Sequence, residues 1–73
     1  MMFPTLQDVL AVGPGMWTLK AATDDVQYLY HWSKNDWKYE MEVRAGSTTY
    51  IIYDQYYRRR AQWTITDDLY YDF

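Results

Sequence analysis

Hydrophobic and polar positions change their period once along this chain, at Met16. Before it, Leu6, Val9 and Leu10 recur at helical spacing. Thr5 can cap that segment with Asp8 three residues on, a variant of the capping box, so a helix of about two turns is expected. So short a helix is unstable alone in water and must dock its apolar stripe on the rest of the domain. Gly13-Pro14-Gly15 ends it, because proline cannot continue the ladder and glycine frees the backbone to turn.

From Met16 onward the period is two. Trp17, Leu19 and Ala21 alternate with Thr18, Lys20 and Ala22, a first strand that runs to the Asp24-Asp25 turn. Val26, Tyr28, Tyr30 and Trp32 mark a second, followed by the turn residues Ser33 to Asp36. In the third strand Trp37, Tyr39, Met41 and Val43 alternate strictly with Lys38, Glu40, Glu42 and Arg44, which assigns one face to the core and the other to water. Gly46-Ser47 turns into a fourth strand, expected over Thr48 to Tyr57 and apolar on both sides: Tyr50, Ile52 and Tyr56 share one face, Ile51, Tyr53 and Tyr57 the other. Arg58, Arg59 and Arg60 interrupt the pattern. Trp63 and Ile65 then alternate with Gln62, Thr64 and Thr66 in a fifth strand ending at Asp67-Asp68.

The fold expected is mainly β, with a minor α component: a short N-terminal helix, then a five-stranded antiparallel meander forming a strongly twisted sheet or a small, partly open barrel. A flat sheet with a helix is the alternative. At 73 residues the chain is one domain, divided as helix and turn over 1–15, meander over 16–66 and an acidic aromatic tail over 67–73. A chain this small buries only roughly 60% of the surface that its unfolded state exposes, so its stability is marginal.

Composition changes the picture in three ways. There is no cysteine, hence no disulfide framework and no thiolate metal knuckle, which points to a reducing, cytoplasmic setting. The N-terminus lacks the basic region and long apolar stretch of a signal peptide, and no run approaches a membrane span, so no membrane partner is expected. A net charge of -3 sets the whole-molecule field against phosphate backbones, so any nucleic-acid site must be local.

Candidate chemistry is sparse. His31 and Ser33 lie two residues apart on one side of a strand, and a half-exposed histidine beside a turn serine outweighs a nucleophile and base there. Asp24-Asp25 and Asp67-Asp68 read as turn formers, without the ligand spacing of a zinc or calcium site. Gly13-Pro14-Gly15 precedes a strand, whereas phosphate-cradling loops precede helices. No catalytic group, metal or cofactor is assigned, and the chain is read as a non-enzyme.

Two surfaces remain. Fifteen aromatic residues, nine of them tyrosine, exceed what one small core needs. Leu29, Ile51, Tyr53 and Tyr57 fall on strand faces opposite the expected core, and exposed rings of this kind are enriched at interfaces. With the tail residues Asp67, Asp68, Tyr71 and Asp72, they make the expected surface of a non-enzymatic protein-binding module. Such a module suits a small inhibitor or accessory protein, with another protein or a second copy as partner. The alternative is single-stranded nucleic-acid binding, in which Arg58, Arg59 and Arg60 hold the backbone while Tyr56, Tyr57 and Trp63 stack on bases. Against it, a strand would point Arg58 and Arg60 one way and Arg59 the other, and pairing with Asp54 and Asp67 would occupy them.

Overall fold

The computed structural model describes residues 3–66 and contains a single antiparallel sheet in the order β1-β2-β3-β4-β5. A short helix, α1 (Leu6–Leu10), precedes it, then a single 3-10 turn at Pro14–Met16. The strands are β1 (Thr18–Ala22), β2 (Val26–Trp32), β3 (Lys38–Arg44), β4 (Ser47–Tyr53) and β5 (Arg59–Thr66). Each strand pairs with its neighbour in sequence, and β1 does not meet β5, so the meander is an open sheet rather than a closed barrel.

α1 starts where the sequence places it. The Thr5 backbone amide donates to Asp8 Oδ2 at 2.7 Å and the Asp8 amide donates to Thr5 Oγ1 at 3.4 Å, a reciprocal capping box. The helix has five residues, fewer than its apolar spacing predicts, because Gly13-Pro14 forces the chain into the 3-10 turn. Its stability comes from docking. Val9 is fully buried among Trp37, Tyr39 and Ile52, with Val12, Trp17, Tyr50, Ala61 and Trp63 packed around them.

The register sorts the side chains. His31 lies opposite Tyr39, Tyr39 opposite Ile52, and Ile52 opposite Ala61; one step along the strands, Leu29, Met41, Tyr50 and Trp63 oppose one another in turn. Directly paired residues share a face, so all of these stand on the side that carries α1. The other side holds Tyr28, Tyr30 and Trp32 from β2, Lys38, Glu40 and Glu42 from β3, and Ile51 and Tyr53 from β4. Among the described residues no element packs over this second side, called here the open face.

Three expectations need correction. The fourth strand ends at Tyr53, not Tyr57, because Asp54 starts a turn in which the Tyr57 amide donates to the Asp54 carbonyl at 3.0 Å. Arg58 to Arg60 do not separate two strands as a block: Arg59 already opens β5, and a bulge sets Ala61 opposite Ile52 but Arg59 opposite Tyr53, leaving Arg60 extra. Lys38, placed in water by the alternation of β3, is only 7% exposed. Aromatic rings from β2 and from the Asp54 turn close over it.

Candidate functional site: the open face

Lys38 organises the open face. Its register partners are Trp32 on one side and Tyr53 on the other. Its Nζ lies 5.1 Å from the ring centre of Tyr30, 5.6 Å from Trp32 and 5.3 Å from Tyr57, and 3.2 Å from Glu40 Oε2. Stem and ammonium are thus buried in a ring-walled cup, where the aromatic faces and one carboxylate replace the water removed. The rings also meet each other: Tyr57 packs edge-on to Trp32 at 6.2 Å and tilted to Tyr53 at 6.4 Å. Trp32 keeps 47% of its surface and Tyr57 61% in solvent.

Tyr57 reaches the cup only through an unusual backbone. Its φ is 62°, the left-handed region that a tyrosine rarely adopts. The conformation is fixed by Asp54, whose Oδ1 accepts from the amides of Tyr56 at 2.8 Å and Arg58 at 3.0 Å, while Oδ2 accepts from Arg58 Nε at 2.8 Å and Arg60 Nη1 at 3.2 Å. Burial raises the pKa of the Asp54 carboxyl, but the backbone amides of Arg58 and Tyr56 and then the two guanidinium groups outweigh that and hold it far below the usual carboxylate range. Asp54 is therefore an ionised clamp at the base of the Tyr57 turn.

That clamp also accounts for the basic triplet. Arg58 and Arg60 share one carboxylate, while Arg59 is directed to Gln62 Oε1 at 3.0 Å. Arg58 lies over the exposed ring of Tyr56 at 5.2 Å, and Arg60 turns towards Phe3 at 4.8 Å and Trp37 at 5.8 Å. Trp63 packs against the core under α1, across the sheet from Tyr57, which meets Trp32 and Tyr53 on the open face. The proposed stacking set is thus not brought together on one surface.

Of the partner-surface residues expected from sequence, Ile51, Tyr53 and Tyr57 do gather on the open face. Leu29 does not: it opposes Met41 and Leu19 on the helix-bearing side. Asp67, Asp68, Tyr71 and Asp72 lie outside the described residues. Tyr30, Trp32 and Lys38 are not among the residues selected from sequence; a turn over Ser33 to Asp36 with a strand from Trp37 sets Trp32 opposite Trp37, whereas the structure starts β3 one residue later and sets Trp32 opposite Lys38.

A cleft of about 730 Å³ lies elsewhere, between the segment Phe3 to Thr5 with Asp8 and the turn Ser33 to Asp36, lined also by Trp37 and Tyr39. Two of its polar groups are engaged in local contacts. Asp8 belongs to the capping box, and Tyr39 has its pKa raised by burial first and by Asp8 second, against a hydrogen bond with Ser33. His31 donates Nδ1–H to the Met16 carbonyl at 3.1 Å and its ring packs between Trp17 and Tyr39. This arrangement orients the imidazole towards the 3-10 turn and supplies no base to Ser33. Among the described residues no three His, Asp or Glu side chains converge to hold a metal ion, and no helix is long and apolar enough to cross a membrane.

No family model matches the chain, and no curated protein or solved structure does.

Proposed function

We propose that the chain is a non-enzymatic protein-binding module that engages its partner through the open face, with Trp32, Tyr53 and Tyr57 around Lys38 as the central contacts. The observation that carries this reading is the strained Tyr57. Left-handed backbone at a bulky residue costs on the order of 1–3 kcal/mol and persists only where its surroundings enforce it, commonly at ligand clamps. Here an ionised carboxylate with four donors is committed to presenting one ring that remains largely in solvent. Exposed, mutually buttressed Tyr and Trp side chains bring large contact area with little loss of side-chain freedom, and they dominate binding energy at interfaces. Lys38 is neutralised in place by Glu40, so the face offers rings over a buried ion pair rather than net charge. An inhibitor or accessory role is consistent with such a face on so small a domain.

The nucleic-acid alternative has less support, because two of the three arginines share Asp54 and Trp63 lies across the sheet from Tyr57. Capture of binding partners by the tagged chain from lysate, with and without nuclease, tests both. The open-face reading expects a stoichiometric protein that survives nuclease, is retained by Arg59→Ala and is lost from a Tyr53→Ser, Tyr57→Gly variant. Recovery of nucleic acid alone, lost at higher salt, would turn the assignment to the arginines.

A further inference from the structure

The rings of the open face already hold a cation. Nζ of Lys38 lies between 5.1 and 5.6 Å from the ring centres of Tyr30, Trp32 and Tyr57, and 3.2 Å from Glu40 Oε2. Electron-rich ring faces beside a carboxylate are the groups with which aromatic cages take lysine, methylated lysine and quaternary ammonium from other molecules. Here the occupant is covalently part of the site. Its stem rises from β3, the middle strand, while two walls come from β2 and the third from the turn that follows β4. The cage is therefore assembled by the folded sheet, and it is filled as it forms.

We propose that the open face contains an alkylammonium cage which Lys38 keeps filled from within, so that the face rejects cationic side chains and selects a neutral one. The selectivity rests on the open face being the binding surface; the cage itself does not. A tethered ammonium competes with any free one at an effective concentration of about millimolar or above, and an incoming cation would have to push the buried stem of Lys38 out of its packing. Nor can a second cation share the rings on favourable terms. Of the two carboxylates that β3 places on this face, Glu40 serves Lys38 and Glu42 is paired with Arg44, and the nearby Asp54 is held by Arg58 and Arg60. A lysine or arginine from a partner would thus meet a fixed ammonium and carboxylates already in use. An aromatic or aliphatic side chain meets neither obstacle, because the outward surfaces of Trp32 and Tyr57 remain in solvent and the ion pair beneath them stays intact.

Emptying the cage tests it without any partner. Lys38→Ala makes room for n-propylammonium, the part of the side chain that the substitution deletes, and Lys38→Thr, better suited to a strand, serves if the alanine variant does not fold by circular dichroism. Titration of n-propylammonium chloride into the folded variant is expected to give a saturable change in tryptophan fluorescence and a raised thermal midpoint, with n-propanol binding at least about tenfold more weakly. Wild type and Lys38→Met, whose cages are full, are expected to respond to the amine no more than to sodium chloride. Equal responses of the variant to amine and alcohol, or a wild type that binds the amine, would overturn the cage. Selectivity is read on wild type, whose capture of its partner is expected to be the same in n-propylammonium chloride, at the concentration that saturates the variant, as in sodium chloride. Competition by the amine would overturn it. Failure of the binding surface itself looks different: capture of no protein, or capture that survives Tyr53→Ser with Tyr57→Gly, removes that reading and the selectivity with it, while the titration still decides the cage.

Discussion

Both sides of the sheet carry exposed large side chains and organise them in opposite ways. Met16 and Tyr57 are each 61% exposed, and Leu10 and Trp32 each 47%. Met16 and Leu10 belong to the 3-10 turn and to α1, beside a core closed by shape in which Val9 is buried with Trp37, Tyr39 and Ile52. On the open face, Trp32 and Tyr57 are the centre of a cluster, touching each other and the ammonium of a buried lysine, and one is held there against its own backbone preference. Exposure alone therefore does not mark a binding surface in so small a domain. What distinguishes the open face is that its exposed rings are fixed, by Lys38 beneath and Asp54 beside them.

Substitutions can break this contrast from either side. The largest effect is expected at the closed core: Ile52→Ala leaves a cavity against Val9 and lowers stability by about 2–5 kcal/mol, read by urea unfolding. A loss under about 1 kcal/mol would mean that α1 is not the element that closes the core. Lys38→Met keeps the packed stem and removes the ammonium from three rings. We expect a loss of about 1–2 kcal/mol, with the tryptophan fluorescence of the folded state shifted as Trp32 loses its fixed environment. Tyr57→Gly relieves the left-handed strain while deleting the ring, so the two effects offset. Stability should change by less than about 1 kcal/mol while partner capture is lost.

The clamp is distinguished from these by the pH at which its effect disappears. The folded Asp54 carboxyl has a depressed pKa, so its contribution is fully present above the unfolded value near about 4 and is lost as pH falls below that towards the folded value. Acid unfolding of wild type should therefore be steeper below about pH 4 than that of Asp54→Asn, and superimposable acid titrations would remove the clamp from the account.

Period-two alternation was enough to read the meander, because successive hairpins need only strands and short turns, and each turn carries its own residue chemistry. The capping box was legible for the same local reason. What escaped was set by neighbours across the sheet. Lys38 alternates as a water-facing residue, yet Trp32 and Tyr57 reach it from β2 and from a turn, and no pattern within β3 records them. Phasing β2 on its tyrosines sets Leu29 with Tyr53; in the structure those tyrosines tile the open face, and Leu29 and His31 stand on the helix-bearing side. Asp54 gave a partial signal, as an acidic residue near three arginines, but its capture of two backbone amides depends on the turn itself.

The most direct test of the open face is side-chain oxidation footprinting of the free chain and of its captured complex, because matched exposures on the two faces provide an internal control. The account predicts that Trp32 and Tyr57 become protected in the complex while Met16 reacts as before. Protection of Met16 with Trp32 and Tyr57 still fully reactive would place the interface on the helix-bearing side and contradict it.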